Sequence, residues 1–115
     1  MKNSLSNRFP AKVRNYWLGW STCLECKENT ADCLHHIISP TSKFYIKGGH
    51  NKSIYNSAPL CNFQCHLYNS ELQREYKIKE LLHSTFAILD YQDYKPTKQD
   101  KLFIYYYKEL YEPII

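Results

Sequence analysis

Cys23-Leu24-Glu25-Cys26 and, after 34 intervening residues, Cys61-Asn62-Phe63-Gln64-Cys65-His66 are the stretches on which the fold turns. A CxxC and a CxxxC pair can converge on one tetrahedral zinc ion, whose four thiolate bonds supply stability that a small loop-rich unit cannot draw from apolar burial. Two pairs are far more specific than one. A lone CxxC also serves redox chemistry, but that use belongs in a thioredoxin-type βαβ unit, and nothing of that pattern surrounds this one. Cys33 is left over and reads as a small buried hydrophobe beside the site.

Outward from these pairs, residues 23 to 66 hold all five cysteines and four of the five histidines, with turn formers at Ser39-Pro40 and Gly48-Gly49. Loops and short strands should dominate there. Residues 1 to 22 form a polar, basic arm that runs into Tyr16, Trp17 and Trp20; Pro10 and Gly19 argue against a long helix, so an extended arm or a short strand is expected. Trp17 and Trp20 are expected to pack inward rather than stack on a base. Beyond residue 66 the pattern changes. Ile78, Leu82, Phe86 and Leu89 fall at helical spacing with no Gly or Pro before Lys95-Pro96, which predicts a long amphipathic helix. Thr97-Lys98-Gln99-Asp100 then reads as a capping box opening a second helix, with Phe103, Tyr106, Tyr107, Leu110 and Tyr111 on one buried face.

The chain has 115 residues, enough for one ordinary domain. No apolar run approaches the roughly 20 residues of a spanning helix, and the basic start has no apolar stretch behind it, so neither a membrane segment nor a secretory signal is expected. The cytoplasm is the expected compartment, where thiols stay reduced and the odd cysteine count suits metal ligation better than disulfides. The net charge is +4, and its distribution is uneven: residues 1 to 66 carry eight Lys and Arg against three acids, and residues 67 to 115 carry seven against eight. A basic excess confined to the cysteine-bearing half suits a polyanion binder.

His35 and His36 are adjacent, and neighbours on a strand point to opposite faces, so they are suited to different jobs. One imidazole could ligate a divalent cation while the other takes a proton from water. His66 follows Cys65 directly, and a zinc-tied Cys65 would hold it in place as a metal ligand requires. His50, beside Gly48-Gly49, reads as plain surface, and His83 on the long helix as a packing or surface histidine.

These pieces in this order, CxxC, then His35-His36-Ile37, then Asn56 in Asn-Ser-Ala-Pro-Leu-Cys, then Cys65-His66, resemble the HNH endonucleases of the ββα-metal type in their zinc-stabilised form. The resemblance covers about residues 23 to 66. It differs from the commoner family pattern by CxxxCH in place of CxxCH, and by His35 where many members have Asp. It implies an α+β fold: a small ββα-metal (His-Me finger) core with a four-cysteine zinc site, followed by two C-terminal helices. The implied division is a basic arm at 1–22, a zinc-stabilised core at 23–66 whose closing helix continues past 66, and a helical extension at 67–115 packed on the core.

The resemblance further implies a metal-dependent DNA endonuclease or nickase. His35 and His66 would ligate a catalytic magnesium or manganese ion, His36 would be the general base, and Asn56 would orient the base or the hairpin loop. Cys23, Cys26, Cys61 and Cys65 would hold the structural zinc. Arg8, Lys12 and Arg14 would contact phosphates, with Lys43, Lys47 and Lys52 on the loop facing the DNA. Phage-encoded HNH proteins are similar in size and composition, and they work as nicking monomers or cutting dimers, so a homodimer or a phage protein partner is the company implied. The alternative is a non-catalytic, zinc-stabilised module that binds nucleic acid or protein.

Overall fold

The computed structural model describes residues 9–61, 65–66 and 69–112. Among the described residues it is a small mixed fold with one two-stranded antiparallel sheet and four helices. Strand β1 is Cys33–His36 and β2 is Ser57–Leu60, paired Cys33 to Leu60, Leu34 to Pro59, His35 to Ala58 and His36 to Ser57. Every residue of β2 is buried. Pro59 lacks an N–H, yet its carbonyl accepts from Leu24 N at 3.0 Å, which ties the first cysteine loop to the sheet.

Residues Ala11–Trp17 form helix α1, where the sequence suggested an extended arm or a strand. Pro10 stands at its N-cap, where a missing N–H does no harm, and Gly19 at φ +100° follows its end, so the two residues that forbid a long helix bound a short one. Burial drives it: Val13 and Trp17 point into the core, and Trp17 Nε1 donates to Ser57 Oγ at 2.8 Å. Trp17 is thus core, as expected, whereas Trp20 is 54% exposed.

Helix α2, Glu75–Tyr91, buries Ile78, Leu81, Leu82, Thr85 and Leu89 against β2 and the 3-10 turn Ile54–Asn56 that precedes it. Each fully buried aliphatic side chain contributes about 1.5–3 kcal/mol. Helix α3, Lys98–Tyr106, begins with the expected capping box: Thr97 Oγ1 accepts from Asp100 N, and Asp100 Oδ2 accepts from Thr97 N. Asp100 is itself buried, and its other oxygen accepts from Ser53 Oγ at 2.7 Å, so the same carboxylate also braces the approach to β2. The second helix is not continuous. It breaks at Tyr107 (φ −111°, ψ 23°) and resumes as α4, Lys108–Tyr111. Phe103, Tyr107, Leu110 and Tyr111 are buried, but Tyr106 points outward, contrary to the single-face reading.

Candidate functional site

The first cysteine pair sits in a tight loop closed by a β-bridge between Thr22 and Thr30, with Cys23 N donating to Asn29 O at 2.8 Å. The loop turns at Lys27, in the left-handed region at φ 59°, whose N–H donates to Cys23 O at 3.0 Å. The second pair follows β2, and Cys65 N donates back to Cys61 O at 3.3 Å, the spacing of one helical turn. The closing helix expected there falls largely on residues 62–64 and 67–68, which lie outside the described residues.

Together the two pairs bring the sulfurs of Cys23, Cys26, Cys61 and Cys65 within 4.8 Å of one another. Cys26 Sγ and Cys61 Sγ stand 3.9 Å apart, and zinc–sulfur bonds of about 2.3 Å make a tetrahedron with edges of about 3.8 Å. The donor set therefore fits a structural ion such as zinc. Backbone N–H groups of Asn29 and Glu28 hold the Cys26 thiol down to about 7, whereas burial pushes the Cys65 thiol well up. A divalent cation among them removes that conflict, because it favours the thiolate at all four positions. The cluster is complete without a histidine.

Glu25, between the first two cysteines, accepts from Lys77 Nζ of α2 at 3.0 and 3.1 Å, and Lys77 is buried. This ion pair clamps the cysteine loop to the long helix. Sequence spacing could not show it, since 52 residues separate the partners.

His35 and His36 lie toward the other end of the strand pair, while His66 follows Cys65 and reaches across to them. Alternation along β1 puts Cys33 and His35 on one face, and both meet His66: Cys33 Sγ lies 3.5 Å from His66 Nδ1, and the His35 and His66 rings are 5.1 Å apart edge to face. The extra residue of CxxxCH thus leaves His66 beside His35. The Cys33 thiol also lies 3.4 Å from Leu60 O, so its sulfur sits between that carbonyl and His66 Nδ1 and fixes how the His66 ring turns. Cys33 is half-buried, and burial with nearby Asp32 pushes its thiol up to about 11, so it stays protonated. His35 is buried; its Nε2 lies 3.5 Å from Nε2 of Gln73, a residue that also donates to Ile37 O at 3.0 Å. Desolvation, with His66 and His36 adding, pushes His35 down to about 3.

His36 faces the other way, stacked on Phe9 with ring centroids 4.0 Å apart and planes 15° from parallel. Burial lowers its pKa, and Lys52 and His66 lower it further. His35, His36 and His66 line one cleft of about 400 Å³, and His36 and Pro40 also border a second hollow that holds His50 and Lys52. His50, read from sequence as plain surface, is half-buried and borders that second hollow.

Asn56 is fully buried. Its Oδ1 accepts from Ile38 N at 2.8 Å, and its Nδ2 donates to Asn51 O at 2.9 Å and Ile38 O at 3.3 Å, so it braces both ends of the loop between the strands. Of the basic residues, Lys12 and Lys52 border a hollow with His50, while Arg14 donates to Phe9 O at 2.6 Å beneath the ring that stacks on His36. Lys43 and Lys47 stand exposed on the inter-strand loop, and Arg8 lies outside the described residues. His83 is half-buried on α2, in keeping with a packing histidine.

Compared with protein-family models, with curated proteins and with solved structures, the chain gives no match. No helix among the described residues is long and apolar enough to cross a membrane. Gln73, Phe9 and Lys77 went unnoticed in the sequence, because no spacing rule links them to the histidines or cysteines they support.

Proposed function

We propose that the chain is a metal-dependent DNA endonuclease or nickase that hydrolyses phosphodiester bonds by an HNH mechanism on a ββα-metal core. The observation that carries this reading is that His35, His36 and His66 line one open cleft, and that His36 also borders an adjoining hollow with Lys52 and His50. Since four thiols complete a tetrahedral set by themselves, the imidazoles are left for other chemistry. A divalent ion such as magnesium or manganese, held by His35 and His66, would supply charge stabilisation at the phosphate and the leaving 3′-oxygen.

The chain's own residues do the rest. His36 is kept neutral near pH 7 by its surroundings, so a ring nitrogen can accept a proton from water. Phe9 fixes the plane of that ring by stacking. Gln73 Nε2 and Cys33 Sγ each stand 3.5 Å from a ring nitrogen, of His35 and His66 respectively, and restrict how those rings turn, and Lys52 and Lys12 offer cationic contacts for phosphates along the neighbouring hollow.

The test is conversion of supercoiled plasmid to nicked or linear form by zinc-loaded protein with added magnesium or manganese. His36→Ala should lower the rate about 10²- to 10⁴-fold while zinc content and melting temperature stay at wild-type values. A wild type that shifts DNA in a gel yet cuts nothing with either ion would replace this reading with the non-catalytic module.

A further inference from the structure

A face of exposed aromatic rings runs away from the His36 cleft. Tyr105 and Tyr106 are 63% and 44% exposed. The Tyr106 ring lies near-parallel to His50 at 6.4 Å, Tyr105 meets Tyr106 at 5.9 Å, and Lys108 Nζ stands 5.3 Å over the Tyr105 ring. His50 borders the hollow shared with His36 and Lys52, so that hollow lies next to the rings at the end of α3. A further hollow of about 490 Å³ opens along the same face, between Phe44 and Ile46 of the inter-strand loop and the Tyr105–Leu110 stretch. Residues 40 to 52 contribute three lysines and no acid; within the hollow Glu75 is paired with Lys79 at 3.3 Å, and Glu109 stands beside Lys108.

This face is built rather than incidental. His50 sits at φ 59°, a conformation a non-glycine residue keeps only when its neighbours enforce it. Tyr107 enforces it: its hydroxyl accepts from Ile46 N at 2.8 Å and Asn51 Nδ2 at 2.7 Å. Gly49 is packed so closely that a Cβ would lie 3.1 Å from the Tyr107 ring. The loop and the α3 terminus therefore form one pre-organised piece.

We propose that this face binds an unpaired polynucleotide strand, its bases stacking on Tyr105 and Tyr106 and its phosphates meeting Lys52 and Lys108. A duplex hides its base faces and offers only phosphates, whereas exposed rings interleaved with lysines suit a single strand. Interface cores between proteins are enriched in tyrosine but depleted in lysine, so it is Lys52 and Lys108 at this face that favour an anionic strand over a protein. Delivery of that strand to His36 for cutting rests on the nuclease reading above; the binding does not.

Fluorescence anisotropy of the full chain, zinc-loaded and without added magnesium or manganese, tests it with three labelled probes: a 15-nucleotide oligothymidine, an oligouridine of equal length and a 15-base-pair duplex. Both single strands should bind more tightly than the duplex, and their ratio shows whether DNA or RNA is preferred. The double variant Tyr105→Ala, Tyr106→Ala should weaken single-strand binding at least tenfold, with duplex binding changed less than twofold and the melting temperature held. A variant that binds single strands like wild type overturns the proposal, as does a wild type that prefers duplex or binds none of the probes, which would leave the face to a protein. Tyrosine-dependent binding without plasmid nicking sinks the nuclease reading alone; nicking with tyrosine-independent binding sinks this proposal alone.

Discussion

The two ends of the β1–β2 pair are built to opposite specifications. At the Cys33–Leu60 end the strands run into the four-thiol cluster, where three of the four cysteines are buried and every ligand faces inward. At the His36–Ser57 end they open onto a hollow whose walls include the imidazoles of His36 and His50 and the amine of Lys52, with His50 at φ 59°. Only four residue pairs separate a closed set of thiols from an open cleft of imidazoles. The closed end supplies rigidity that the open end does not generate for itself, since two short strands alone are marginal in water.

Breaking the closed end should have the largest effect. Cys61→Ser should release zinc and remove cooperative thermal unfolding of the sheet region, because the binding free energy of such an ion is in large part folding free energy. A variant that keeps both its zinc and its melting temperature would show that the cluster does not hold the fold. At the boundary between the ends, Asn56→Ala strands the buried Ile38 N–H and two carbonyls, and should lower the free energy of unfolding by about 2–4 kcal/mol in denaturant titrations. Loss of cutting at unchanged stability would instead make Asn56 a partner of His36 rather than a brace of the loop.

A smaller effect should sharpen the contrast. Cys33→Ala removes the sulfur that holds His66 Nδ1, so manganese affinity measured by calorimetry on zinc-loaded protein should fall about 10- to 100-fold, the size of a typical orienting contact behind a metal ligand. Zinc content should not change, and Cys33→Ser should recover most of the affinity. A parallel loss of zinc would show that the two ends are one site.

The gentlest probe is acid. His35 in the folded chain is pushed down to about 3 from its ordinary 6.5, so the unfolded chain takes up the proton first. Its contribution to stability is whole above pH 6.5 and is lost progressively as pH falls toward 3. Melting temperature should decline across that window. His35→Asn should flatten the part of the decline due to His35 and leave the part due to proton competition for the thiolates, and an unchanged slope would mean that His35 is not desolvated.

How much of this was legible in the chain follows from the range of each interaction. The cysteine pairs, the opposition of His35 and His36, the α2 stripe and the Thr97–Asp100 cap were readable because spacing along a strand or helix dictates which side chains share a face. Helix α1 was missed because seven residues carry little periodicity, and its stability comes from Val13 and Trp17 reaching the core. Tyr106 was misassigned because it stands at the edge of the stripe that Phe103, Tyr107 and Leu110 centre, and only Tyr107 is drawn in, its hydroxyl held by the loop some 60 residues earlier. His50 looked like surface because its role depends on a turn locked by Gly49 and Tyr107.

The sequence by itself determined the donor set, the strand alternation and the basic half of the chain, since these depend on residue identity and on near neighbours. Only the tertiary structure decided that Lys77 clamps the cysteine loop, that Cys33 meets His66 and that Tyr105 and Tyr106 face outward beside His50. Each of these is a contact between segments far apart in the chain. Their formation depends on which compact arrangement buries the most apolar surface with its polar groups satisfied, a property of the whole fold that no local window contains.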